Sequence, residues 1–158
     1  MSTLSSKGQG HAALRRGRVS LPGQIYLVTF TTRHRDPLFV EEAIARTASG
    51  AFTDPHAWKC SRLLAWVLMP DHWHGLIELG EEESLSGLVC RLKANTARCI
   101  RREICGGTGA LWARGFHDRA LRREDDILHA ARYVVMNPIR AGLVERLGDY
   151  PYWNAIWL

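Results

Sequence analysis

The sequence lacks any apolar run of the length that a membrane span needs, about 18 or more residues. Its first residues are rich in serine, lysine, glycine and arginine and contain no apolar core of the kind found in secretion signals. These two absences predict a cytoplasmic protein with no membrane partner. The chain also has no internal repeat, no low-complexity tract and no linker to a second domain.

Cysteine is scarce, and its spacing argues against a zinc knuckle or a disulfide framework. None of the four cysteines forms a C-x-x-C pair. They fall in segments that are typical of packed strands or helices, so we expect reduced, mostly buried thiols. These residues are Cys60, Cys90, Cys99 and Cys105.

Acidic residues are fewer than basic ones, 16 against 21, so the net charge is +5. This excess suits a polyanionic partner. The length of 158 residues allows one domain with a proper core. We expect a basic flexible arm over residues 1–22, where Arg15, Arg16 and Arg18 could follow a phosphate backbone, and one domain over residues 23–158. A disordered tail without such contacts is the alternative.

The stretch from residue 68 to 79 contains two histidines separated by one residue, in the order Met-Pro-Asp-His-Trp-His-Gly. Side chains of a strand alternate between its faces, so His72 and His74 point one way and Trp73 the other. Two neutral imidazoles placed like this offer two ligands for a divalent ion and leave positions open for substrate oxygens. A wet sheet face with two solvated histidines is the alternative, because His-x-His is a short and common pattern.

Residue alternation and helical periodicity divide the domain into strands and helices in one order. The predicted strands cover residues 25–32, 62–69 and 72–79, and residues 111–118 form a short strand or an extended segment. The predicted helices cover 41–52 and begin near 84 and 124. Pro70-Asp71 forms the turn of a hairpin between the second and third strands. This order predicts an α+β fold, a ferredoxin-like antiparallel sheet with helices on one face and an added C-terminal helix carrying a tyrosine.

The helix that begins near residue 84 carries a polar, mostly basic stripe beside its apolar one. The stripe consists of Arg91, Asn95, Arg98 and Arg102. Because no acidic residue lies in register with it, the stripe favours contact with DNA phosphates over internal salt bridges. A solvated helix face is the alternative.

The last helix places Tyr133 at the edge between its apolar stripe and solvent. That position suits a reachable hydroxyl, and it also suits an ordinary amphipathic tyrosine. Pro138 disfavours helical backbone at Asn137, so the helix should end or kink there. An ion on the histidine pair would polarise a phosphodiester, and attack by Tyr133 would store the energy of the broken bond as a phosphotyrosine.

Four segments together resemble the REP-associated tyrosine transposases, which belong to the single-tyrosine, HUH-type superfamily of bacteria. These segments are VLMPDHWH at 67–74, SLS at 84–86, LW and GFHD within 111–118, and RYVVMNPIRAGLV at 132–144. The resemblance implies a metal-dependent endonuclease and strand transferase that cuts single-stranded DNA beside a palindromic hairpin and forms a 5′-phosphotyrosine. It also implies a ferredoxin-like fold.

Carried onto this chain, the resemblance implies that His72 and His74 bind the metal and that Tyr133 is the nucleophile. Asn137 corresponds to a third metal ligand, which is glutamine in some relatives. Such a set suits Mg²⁺ or Mn²⁺, and we expect a monomer in preference to a homodimer. Two alternatives stay open: a non-catalytic module that binds single-stranded nucleic acid, and a metal phosphodiesterase that uses water and leaves Tyr133 structural.

Overall fold

The computed structural model describes residues 20–107 and 109–158. Arg15, Arg16 and Arg18 lie outside the described residues, so the arm over residues 1–22 and its boundary stay predictions. The strands are β1 (Ile25–Thr31), β2 (Arg62–Met69), β3 (His72–Glu78), β4 (His117–Leu121) and β5 (Trp153–Ala155). The helices are α1 (Glu42–Thr53), α2 (Pro55–Trp58), α3 (Leu85–Glu103), α4 (Glu124–Val135) and α5 (Asn137–Arg140). Short 3₁₀ turns at Arg33–Arg35, Leu38–Val40 and Leu147–Asp149 complete the described elements.

The five strands form one antiparallel sheet in the order β4-β1-β3-β2-β5. The first four strands and helices α1 and α3 follow the β-α-β-β-α-β order, which confirms the predicted α+β, ferredoxin-like fold. Strand β5 extends the sheet beyond β2, and the sequence did not predict it. None of the described helices has the length and apolar content that crossing a bilayer requires.

One face of the sheet packs against α1 and α3 around a cluster of aromatic rings. The indole ring of Trp73 stacks between Phe30 and Phe52, with a ring-centroid distance of 5.0 Å to each. It also covers Gly75, where a Cβ atom would lie 1.9 Å from Cη2 of Trp73. Only glycine therefore fits at that position with the indole in place. The predicted core residues Trp66, Trp73 and Trp112 are all buried.

Helix α4 packs on the opposite face of the sheet. Its small side chains Ala130 and Ala131, with Val135, contact a second apolar cluster that includes Leu64 and Leu76. Acidic residues at 124–126 form its first turn, where they complement the partial positive charge of the helix terminus. The two faces thus have separate cores, and α4 lies on the side to which Trp73 does not point.

Two predictions about local structure need correction, and a third is confirmed. Cys60, Cys90 and Cys105 are exposed and Cys99 is half-buried, because these residues lie in a turn, on outer helix positions and past a helix end. The predicted strand at 111–118 instead begins at His117, after a glycine at 115 with φ of +77° interrupts the extended backbone. The prediction that the last helix ends or kinks near Asn137 is confirmed, because it ends at Val135 and a new helical turn starts at residue 137 beside the proline.

Candidate active site and metal centre

The two predicted histidines project from β3 toward the face of the sheet that α4 covers. His72 and His74 are two residues apart, so both lie opposite to the buried Trp73 between them. Their Nε2 atoms are 3.0 Å apart, and the ring planes are nearly perpendicular at 88°. The structure therefore brings the two side-chain nitrogens to one point, as the alternation of the strand predicts.

The other nitrogen of each ring is held by a neighbouring side chain. His72 Nδ1 lies 2.6 Å from Asp71 Oδ1, and His74 Nδ1 lies 2.6 Å from Thr29 Oγ1. Thr29 is directly opposite His74 in the pairing of β1 with β3. A carboxylate only accepts hydrogen bonds, so His72 donates from Nδ1, and in its neutral form its lone pair is on Nε2.

The threonine hydroxyl allows His74 to adopt either neutral form. With Nε2–H donating to His72 Nε2, the hydroxyl of Thr29 donates to Nδ1 of His74. With the proton on Nδ1, the same hydroxyl accepts it, and both Nε2 lone pairs converge. Only the second arrangement offers two nitrogen ligands to one cation.

The histidine pair fits a divalent ion in charge and in spacing. Burial, followed by the charges of His72, Arg140 and Arg35, lowers the pKa of His74 to about 3, so this imidazole is neutral near pH 7. Two nitrogens that bind one ion at right angles and about 2.1 Å lie about 3 Å apart, close to the observed 3.0 Å. Among the described residues, no third histidine, cysteine or carboxylate completes a cluster of three. Further ligands would therefore be an amide, a phenol or substrate oxygens.

Asn137 has an amide of fixed orientation at the start of α5. Its Nδ2 donates to the backbone carbonyls of Tyr133 and Val134, at 3.0 and 3.2 Å. Both hydrogen bonds use the nitrogen of the amide, so Oδ1 is the atom that remains as a possible metal ligand. The side chain thus joins the first turn of α5 to the last turn of α4.

The ring of Tyr133 lies beside the histidine pair on the same face of the sheet. Its centroid is 6.4 Å from that of His74, and the residue is 42% exposed. The Cζ atom of Arg140 lies 4.0 Å from the centroid of the tyrosine ring. A cleft of about 410 Å³ opens next to Tyr133 and also reaches Thr29, His117 and His129. A reachable phenol and two imidazoles are therefore neighbours, as a tyrosine nucleophile at a metal site would require.

The predicted basic stripe lies away from this site. Helix α3 packs on the Trp73 face of the sheet, so Arg98 and Arg102 are exposed on the layer opposite to the histidines. The expectation that the stripe has no acidic partner is wrong for Arg91, which forms an ion pair with Glu83 and donates from Nε to a carbonyl 2.8 Å away. Asn95 contacts the guanidinium of Arg98. DNA contact by this stripe stays a prediction.

Four residues of the site were not among the predicted ones. They are Thr29, Arg35, Asp71 and Arg140. Asp71 precedes the first histidine directly, so its adjacency was a signal that could have identified it. Thr29 and Arg35 come from the first strand and its following turn, and only the pairing of β1 with β3 brings them here.

Comparison with known proteins identifies the family. The model of the family described as "Transposase IS200 like" matches residues 21–136, which is well over half of the chain. The chain therefore belongs to this transposase family, a family of enzymes.

Individual relatives agree with this membership. A REP-associated tyrosine transposase of Escherichia coli (strain K12) is 29% identical over 89 residues, which are 56% of this chain and 50% of that protein. A Haemophilus influenzae protein assigned as a REP-associated tyrosine transposase is 23% identical over 143 residues, which are 82% of this chain and 78% of that one. The chain thus spans only half of the first relative. These matches confirm the resemblance that the motifs indicated.

A solved structure supports the fold. It is that of a REP-associated tyrosine transposase bound to a REP hairpin, and it superposes with a TM-score of 0.65 at 23% sequence identity. The superposition covers 86% of this chain and 79% of the other. At this identity the likeness establishes the ferredoxin-like architecture.

Proposed function

We propose that this protein is a metal-dependent endonuclease and transposase that cuts and rejoins single-stranded DNA beside REP-type palindromic hairpins through a 5′-phosphotyrosine. The observation that carries the proposal is the position of Tyr133, partly exposed and with its ring centroid 6.4 Å from that of His74. Family membership supports the reaction class. The hairpin bound by the structural neighbour supports the choice of DNA.

Each side chain of the site has a role in this reaction. His72, His74 and the Asn137 amide would hold Mg²⁺ or Mn²⁺, and such an ion would polarise the phosphodiester and stabilise charge on its oxygens. Tyr133 attacks the phosphorus through its phenol oxygen. The new O–P bond forms as the P–O3′ bond breaks, the phenol loses its proton to solvent, and the departing 3′ oxygen gains one. The resulting phosphotyrosine conserves the bond energy, so a 3′-hydroxyl can later reverse the step.

Other parts of the proposal concern partners. Arg98, Arg102 and the arginines at 15, 16 and 18 remain proposed contacts for DNA phosphates outside the cutting site. We retain a monomer as the proposed state, because Tyr133 and the histidines of one chain already lie together. The cytoplasm, where the DNA substrate is found, remains the proposed compartment.

The test is a search for a covalent protein–DNA adduct. Wild-type protein is incubated with Mn²⁺ and a labelled hairpin oligonucleotide that has single-stranded flanks, and the products are separated under denaturing conditions. We expect a shifted, denaturant-resistant band and a free 3′-hydroxyl product. Tyr133→Phe should abolish the band and keep DNA binding, because only the attacking oxygen is removed. Tyr152→Phe, a half-buried tyrosine of the C-terminal segment, is the matched control.

The same experiment separates the competing functions. Cleavage without an adduct would support a phosphodiesterase that uses water. Binding without cleavage would support a nucleic-acid-binding module. An adduct that persists in Tyr133→Phe would show that another residue is the nucleophile.

A further inference from the structure

Two arginines from different elements approach the histidine pair. Arg140, in α5, lies over the ring of Tyr133, with its Cζ atom 4.0 Å from the ring centroid. Arg35, in the turn after β1, donates from Nη1 to Asp71 Oδ2 over 3.4 Å. Arg140 thus neighbours the pair through Tyr133, whose ring lies beside His74, and Arg35 through Asp71, which is hydrogen-bonded to His72.

The charges of these two arginines are only partly compensated. Among the residues that the structure describes, no carboxylate forms an ion pair with Arg140. Its guanidinium lies over the face of the Tyr133 ring instead. The pair of Arg35 with Asp71 is long, and the arginine side chain is 61% exposed, so water screens it strongly. Asp71 also accepts from His72. An anion that enters beside Tyr133 would thus meet Arg140 over the tyrosine ring, while Asp118 is the carboxylate that lines the same cleft.

Arg35 is held in place by its own turn. His34 and Arg35 both have φ of +58°, a left-handed conformation that residues other than glycine rarely adopt. The turn is fixed by Thr32, which is 1% exposed and whose Oγ1 donates to the carbonyls of Asp36 and Asp71 at 2.8 and 3.1 Å. Such strained backbone persists only where its surroundings determine it. The turn therefore directs Arg35 toward Asp71, which is hydrogen-bonded to His72.

We propose that Arg35 and Arg140 bind phosphates of the DNA at the cutting site, Arg140 the phosphate that Tyr133 attacks and Arg35 a neighbouring one. The inference rests on the proposed function and specifies how the substrate is positioned in it. A guanidinium offers several donors in a plane, which matches two oxygens of one phosphate. Stacking on the tyrosine ring keeps Arg140 next to the attacking atom before DNA arrives.

The experiment measures binding without cleavage. Tyr133→Phe protein in EDTA is titrated with a labelled hairpin oligonucleotide that carries single-stranded flanks, over a range of salt concentrations. Phenylalanine keeps the ring face on which Arg140 stacks. Adding Arg35→Ala or Arg140→Ala should weaken binding about tenfold at low salt and reduce the slope of log K against log salt by about 0.7. Arg35→Lys and Arg140→Lys should restore most of the slope, because a phosphate contact needs the charge.

A matched control variant tests whether the effect is specific to these arginines, and a modified DNA locates the phosphate that Arg140 contacts. Arg46→Ala removes an exposed arginine that pairs with Glu42 on α1, so affinity and slope should not change. A single neutral methylphosphonate, moved stepwise along the flank, should abolish the effect of Arg140→Ala at one position only. If both alanine variants bind like Arg46→Ala, or if no position of the methylphosphonate removes the effect, the inference is overturned.

This result is independent of the chemistry. If wild-type protein forms no tyrosine adduct but both alanine variants lower the slope, the proposed reaction fails and phosphate binding stands. If the adduct forms and the slopes do not change, the reaction stands and the phosphate-binding role is wrong. Thermal unfolding of each variant shows whether a loss of binding comes from loss of the fold, and a loss of binding that lysine does not restore counts against a phosphate contact.

Discussion

Replacing Thr29 with valine tests whether the histidine pair is prepared for a metal ion. Valine keeps the branched shape that suits strand β1, but it removes the hydrogen bond of 2.6 Å between Thr29 Oγ1 and His74 Nδ1. Metal binding at Nε2 places the proton of His74 on Nδ1, where valine offers no acceptor. An unpaired buried donor costs about 1–3 kcal/mol.

This free energy translates directly into metal affinity. A cost of about 1.4–2.7 kcal/mol corresponds to about 10- to 100-fold weaker binding, which is the range found when outer-shell partners of metal-binding histidines are removed. Thr29→Ser keeps the hydroxyl and should bind the ion nearly as well as wild type. The measurement is a titration with Mn²⁺, in which electron paramagnetic resonance reports the free ion.

The outcome that would refute this reasoning is equally specific. Thermal unfolding in EDTA first establishes that Thr29→Val and Thr29→Ser are both folded. If the valine variant then binds Mn²⁺ within twofold of wild type, the threonine does not orient His74 for metal binding. The contact would in that case be an ordinary cross-strand hydrogen bond.

Three further predictions concern stability. Gly75→Ala forces a Cβ atom against the indole of Trp73. We therefore expect the free energy of unfolding to fall by about 1–3 kcal/mol and the melting temperature, measured by calorimetry, to fall by about 3–12 °C. An unchanged melting temperature would contradict the packing of Trp73 on Gly75. In EDTA, the free energy of unfolding should fall as the pH drops from 6.5 toward about 3, by up to about 1.4 kcal/mol per pH unit. The reason is that His74 binds a proton in the unfolded chain over this range but stays neutral in the folded protein. His74→Asn should flatten this dependence in urea titrations. Tyr150→Phe removes the hydroxyl that donates to the Leu68 carbonyl at 2.6 Å, so the urea midpoint should fall by the equivalent of about 1 kcal/mol. Burial raises the pKa of Tyr150 to about 12, so this loss of stability should be the same at pH 7 and pH 9.

Local patterns predicted the parts of the site that lie close together in sequence. The alternation of a strand placed His72 and His74 on one face because strand geometry leaves few other choices. The position of Tyr133 on its helix followed from the apolar stripe beside it. The first three strands could be predicted in the same way, because a helix separates β1 from β2 and a two-residue turn separates β2 from β3, whereas the fourth strand begins later than predicted.

Contacts between distant segments could not be predicted from such patterns. Thr29 meets His74 only through the register of β1 with β3, which depends on packing across the whole sheet. Arg91 pairs with Glu83, which precedes helix α3. The prediction that the basic stripe has no acidic partner considered only residues within that helix, so it could not include Glu83. Strand β5 has three residues, too few for a recognisable alternation, and its pairing with β2 is long-range. Composition likewise said nothing about which sheet face each helix would cover.

The two hydrogen bonds of the Asn137 amide have a consequence for movement within the site. Because they join this side chain to the carbonyls of Tyr133 and Val134, the end of α4 and the beginning of α5 form one rigid unit. Any swing of that unit away from the sheet would move Tyr133 away from His74 and carry the Asn137 side chain with it. If Tyr133 forms the proposed phosphotyrosine, the same movement would carry the attached DNA strand away from the histidine pair.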